Sequence, residues 1–154
     1  MGVEIIDELE TLERKFLLFI DYHLRSFDVS NLGEIRITTT NQNNDWWRGQ
    51  IRHGNKNRKA RILIATNDHW SYPLVKSVHT GTEKVNEDGD WRYTFTKFMF
   101  NNQEEAMLKV YGHEIFHFLK KTKQLSTTEF GRNGNPSANR YGLGLVEQYR
   151  KFKE

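Results

Sequence analysis

Between Asn102 and Thr122 runs an unbroken helical period that ends in His113-Glu-Ile-Phe-His117, and it constrains this chain more than any other stretch. Met107, Leu108, Tyr111, Ile115, Phe118 and Leu119 recur three and four residues apart, which gathers them on one side as a core-facing stripe. At about 100° per residue, His113 and His117 fall on roughly the opposite side, next to Ala106 and Val110. A helix apolar on one face, with two imidazoles on another, belongs between a core and a cleft. Asn102, three residues before Glu105, is placed to cap the first turn.

Two histidines four residues apart on one helical face can hold one zinc ion. Glu114 stands beside them, where a carboxylate can take a proton from a water that the ion activates. The bland alternative is a pair of partly exposed histidines and a solvated glutamate on an ordinary helix. A glutamate in that place, on a helix phased in that way, argues against it. Catalytic zinc usually has three protein ligands and one open position. HEIFH supplies two, and no histidine follows His117. Cysteine is absent from the chain, so thiolate ligands, disulfides and cysteine nucleophiles are excluded.

The remaining pattern predicts an α+β domain occupying 1–154: an N-terminal helix, a small twisted sheet of three to five strands, the HEIFH helix and a closing helix. Ile5, Leu9, Leu12, Phe16, Phe19, Ile20, Leu24 and Phe27 predict a helix over about 4–26. Ile35 and Ile37 alternate with polar residues in a short strand ending at Thr40. Trp46 to His53 and Arg61 to Thr66 read as a hairpin with a basic tip at 54–59. Residues 67–90 are the hardest to read, Trp91 to Phe98 alternates again, and Pro136 opens the last helix at a first helical position. With 154 residues and 13% aromatics, one real core is expected in spite of a mean hydropathy of −0.78. A net charge of +3 implies no nucleic-acid partner by itself. The acids at 4, 7, 8, 10 and 13 argue against a secretory signal, and no apolar run nears the ~20 residues of a membrane span. A soluble, cytoplasmic domain is the expectation.

The end of the chain resembles gluzincin-type zinc metallopeptidases of the small single-domain kind, and SprT-like proteins share the first half of the pattern. In the gluzincin group a loop and a second helix follow HExxH. That helix carries a zinc-binding acid, then a small residue, Asn or Asp, and an aromatic. Here Ala138-Asn-Arg-Tyr141 matches the latter half, which puts Asn135 where the family has its glutamate. The resemblance implies a minimal zincin-like fold, zinc as cofactor and a peptide or protein substrate. It also implies that Asn139 braces a metal-binding histidine from behind and that Tyr141 is a candidate for the oxyanion.

The third ligand stays open at this point. Asn135 offers a neutral, weaker donor than a carboxylate, and Asn before Pro is also a good helix cap. Glu129 keeps the charge but lies off the family position, and Glu147 lies too far along the helix. His69 and His79 are further oxyanion candidates. The strand Arg61 to Thr66 is the expected sheet edge for pairing with substrate. The expected function is peptide hydrolysis with Glu114 as general base. The alternatives are an inactive metallopeptidase-like binding module, or a nucleic-acid binder. The latter would use the basic 46–61 hairpin, where Trp46 and Trp47 precede Arg48, Arg52, Lys56, Arg58, Lys59 and Arg61.

Overall fold

Alternation decides the sheet. Ile35 and Ile37 on one strand and Ile62 and Ile64 on the next are buried, while Glu34, Arg36 and Arg61 between them turn outward, which is the period-two pattern of a sheet with one covered face. The computed structural model describes residues 2–40, 48–125 and 134–154. In chain order the elements are β1 (Glu4–Asp7), α1 (Arg14–Leu24), β2 (Leu32–Thr40), β3 (Arg48–Arg52), β4 (Ala60–Asn67), β5 (Leu74–Lys84), β6 (Trp91–Phe100), α2 (Gln103–Lys121) and α3 (Asn135–Lys153). The α+β class holds, with a four-stranded sheet in the order β1-β2-β4-β3 and a separate hairpin of β5 and β6.

β1, β2 and β4 are parallel, and β3 runs antiparallel to β4 as the outermost strand. The expectation that Arg61 to Thr66 forms the sheet edge is therefore wrong. β4 is flanked by β2 on one side and β3 on the other, and the two edges of the sheet are β1 and β3. Hydrophobic pattern does point to this: β4 is buried along most of its length and β3 is mostly exposed, the mark of an inner and an edge strand respectively.

The N-terminal helix is shorter than its apolar spacing predicts. Ile5 and Ile6 are β-branched neighbours, and they pair with Ile35 and Arg36 in β1 instead of coiling. The Asp7 carboxylate then accepts from the amides of Leu9 and Glu10 at 2.9 and 3.1 Å, and Glu10 has a left-handed backbone with φ of 59°. Both features stop a helix from passing through. α1 buries Phe16, Phe19 and Ile20, with Phe16 and Phe19 set edge-on to Tyr149 of α3 at 6.3 and 5.4 Å.

α2 begins as the sequence predicts, with Asn102 Oδ1 accepting from Glu105 N at 3.0 Å. Glu105 also binds Arg150 at 2.7 Å, a charged tie between the start of α2 and the end of α3. All six residues of the predicted core stripe are buried. Among the described residues no helix is long and apolar enough to cross a membrane.

Candidate metal centre

Two glycines bring the site together. A Cβ on Gly112 would lie 2.5 Å from the Gly142 Cα, far inside van der Waals contact, so α2 and α3 cross there backbone to backbone. This crossing brings Asn139, three residues before Gly142, alongside His113, one residue after Gly112. Asn139 Oδ1 lies 2.6 Å from His113 Nδ1. The orientation of that amide is set from its other end, because Asn139 Nδ2 donates to the His79 carbonyl of β5 at 2.8 Å. An amide oxygen only accepts, so His113 Nδ1 carries the proton and His113 Nε2 is left with its lone pair.

That lone pair meets the second histidine. His113 Nε2 and His117 Nε2 are 3.3 Å apart. Two nitrogens bound at ~2.05 Å to one tetrahedral ion are separated by about 3.3 Å. Either a shared proton or a cation can fill such a gap, and the two are distinguished by experiment below. Burial is the main force holding the His113 pKa down to about 4, while hydrogen bonds from Asn139 and Asn135 act the other way. The ring is neutral near pH 7, the state in which it ligates a metal.

His113 and Glu114 line a cleft of about 330 Å³ with Val110 and Asn139 of the same two helices, and Gly49 of β3 and His79 of β5 form its opposite walls. Gly49 is required by close approach: a Cβ there would meet Glu114 Oε2 and Val110 Cγ1 at 2.7 Å. The sheet edge thus passes directly over the carboxylate. Glu114 is buried, and that burial raises its pKa to about 7, with the charge of Lys109 pulling it back down. Lys109 lines the same cleft; burial lowers its pKa to about 8, and Glu114 opposes that shift. Reading the sequence missed Lys109, since a lone lysine on a helix normally points to solvent. Its position one turn before His113 was the signal available.

The remaining candidates separate clearly. Asn135 lines the cleft, and the expectation that it caps α3 is not met. Gly134 holds the cap position, no side-chain cap bond is made there, and Asn135 and Pro136 are already helical. Asn135 instead hydrogen-bonds His113, and a set of two imidazoles and this amide would fit a zinc ion more weakly than one containing a carboxylate. Among the described residues no third His, Asp or Glu joins the pair. Glu129 lies outside the described residues, as do Trp46 and Trp47. Glu147 is exposed and, twelve residues after Asn135, about 18 Å farther along the helix axis. It is no ligand.

Tyr141 is placed otherwise than the oxyanion role needs. Its hydroxyl lies 2.7 Å from His23 Nε2, buried, and Tyr141 is not among the residues lining the cleft. His79 does line it, with Nε2 donating to the Gly81 carbonyl at 3.0 Å. His69 is exposed beside Asp68. Arg48, Arg52, Lys56, Arg58, Lys59 and Arg61 are all exposed. Comparison with protein-family models, curated proteins and solved structures yields no match, so the family resemblance rests on this chain's own residues.

Proposed function

We propose that the chain is a zinc-dependent metallopeptidase. One observation carries the reading: the Nε2 atoms of His113 and His117 stand 3.3 Å apart, and His113 lines a cleft that it shares with a buried glutamate. His113 and His117 hold the ion and Asn135 supplies the third donor. Zinc bound there supplies a Lewis acid that polarises the scissile carbonyl and acidifies water. Glu114 takes the proton from the attacking water and delivers it to the leaving amine. A carboxylate with a pKa of about 7 is matched to both halves of that transfer near neutral pH, and Lys109 favours its ionised form. Asn139 holds His113 in the ligating tautomer. The free edge of β3, which passes over Glu114, is the natural place for an extended peptide to add as a strand.

The test is turnover of a peptide library by zinc-loaded protein and by Glu114→Gln. Losing the base should lower turnover roughly 10²–10⁴-fold while zinc binding is retained. Undiminished turnover would remove Glu114 from the chemistry, and zinc binding with no turnover in the native chain would favour the inactive binding module. A second reading, nucleic-acid binding through the basic hairpin, also has an observation behind it. Arg52 and Arg61 stand directly opposite on neighbouring strands, with Glu34 facing Arg61 from β2, which leaves this patch a net positive charge that an anionic ligand would meet. Salt-dependent binding of a single-stranded oligonucleotide, lost when Lys56, Arg58 and Lys59 are neutralised, would support it.

A further inference from the structure

The hairpin of β5 and β6 has two unlike faces. On one, Leu74 pairs with Phe100 and Val78 with Thr96, and Phe100 and Val78 are buried in the core. On the other, Val75 pairs with Met99, His79 with Phe95, Thr82 with Tyr93 and Lys84 with Trp91. Trp91, Tyr93 and Phe95 are 64%, 68% and 59% exposed. Large contiguous apolar patches are rare on soluble monomers and mark interaction sites. Two-stranded ribbons are also marginal in water, so this one is an unfavourable place to expose aromatic rings without a use for them.

His79 joins this face to the cleft. Its ring lies 4.4 Å from that of Tyr93 and 5.5 Å from that of Phe95, and the same residue forms a wall of the cleft. The cleft therefore borders the stripe at its middle, the third of the five pairs, and Tyr93 and Trp91 continue the stripe from there towards the hairpin tip. Five of the paired positions lie on this face, two residues apart, which makes a track of roughly 27 Å, enough for about eight residues of extended chain. The charges on it are of one sign: Lys84 and Lys97 occupy paired positions on this face, and no acidic residue does.

We propose that this face is a docking surface for an extended, apolar and acidic segment of a polypeptide substrate that runs from the hairpin into the cleft. The proposal rests on the peptidase reading for calling the segment a substrate. Aromatic rings hold its apolar side chains, and Lys84 and Lys97 pair with its carboxylates.

The test is fluorescence anisotropy on chelator-stripped protein, so that binding is read apart from metal and turnover. The probe is a labelled twelve-residue peptide with Phe, Leu and Tyr at alternate positions and Glu between them, and its control has Ser in place of every apolar residue. The native chain should bind the apolar peptide at least about tenfold more tightly than the control. Tyr93→Ser/Phe95→Ser should lose most of that preference with an unchanged melting temperature, and Trp91→Ser alone should lose part of it. Equal binding of the two peptides overturns the proposal. So does the same residue dependence for oligothymidine or phosphatidylserine vesicles with none for the peptide. If the peptide binds as expected but the protein takes up no zinc and cleaves nothing, the peptidase reading fails and the docking surface stands as a binding module.

Discussion

His23 is buried and His113 partly buried, and the two imidazoles share a pKa depressed to about 4 for the same main reason, yet their surroundings differ. His23 is closed on both sides by hydroxyls, Tyr111 at 2.8 Å from Nδ1 and Tyr141 at 2.7 Å from Nε2. A phenol both donates and accepts, so either tautomer of His23 is satisfied and nothing is left over. On His113 the Asn139 amide oxygen fixes the proton at Nδ1, and Asn135 also hydrogen-bonds the ring. Its second nitrogen faces another imidazole nitrogen across 3.3 Å. The contrast teaches that burial and a shifted pKa do not identify a functional histidine. What sets His113 apart is a ring nitrogen that faces a second imidazole, on a residue that lines a cleft.

The comparison breaks most visibly under alanine substitution. His117→Ala should lower zinc affinity beyond the 10–100-fold that removing a supporting partner costs, with little change in melting temperature because His117 is only partly buried. His23→Ala should do the reverse. It strands two tyrosine hydroxyls and leaves a cavity, costing about 3 kcal/mol of stability in denaturant titration, with zinc affinity unchanged. The opposite assignment of effects would show that the roles are exchanged.

Acid sharpens the same contrast. Folded His23 accepts a proton only near pH 4, whereas in the unfolded chain it does so near 6.5. Between those values the unfolded state binds more protons, so stability is complete above about pH 6.5 and declines as pH falls towards 4. The contribution lost is about 3 kcal/mol in all. Denaturation at steps between pH 7 and 4.5 should show this slope in the native chain and a shallower one in His23→Gln.

Smaller effects belong to the partners of the pair. Asn139→Ala removes the acceptor on His113 Nδ1 and should weaken zinc binding 10–100-fold; calorimetry reads this directly. Asn135→Glu restores a carboxylate at the cleft wall and should strengthen zinc binding, by roughly tenfold for a charged in place of a neutral donor. If Asn135→Glu binds zinc no better, Asn135 does not face the ion.

Much of this was legible in the residues. Hydrophobic period placed α2, its cap and its buried stripe, and the four-residue spacing placed both imidazoles on one face. The Ala138–Tyr141 match put Asn139 where the fold has it, against His113. What was not legible depends on contacts distant in sequence. Ile5 and Ile6 fit a helical period as well as a strand, and the choice was made by the partner Glu34–Ile37. The sheet edge could not be assigned without knowing that β2 and β4 are parallel neighbours. Tyr141 was placed by a family position, and His23, more than a hundred residues earlier, took its hydroxyl. Lys109 reads as a surface lysine until Gly49 and Glu114 close the cleft around it.

The proposed zinc site requires the gap between His113 and His117 to seat a cation and not merely a shared proton. X-ray absorption at the zinc edge, on chelator-stripped protein given one equivalent of zinc, tests this most directly. Two imidazole nitrogens near 2.0 Å, completed by oxygen donors and reduced to one imidazole in His117→Ala, is the predicted result. Zinc that fails to bind, or whose spectrum is the same in His117→Ala, would contradict it.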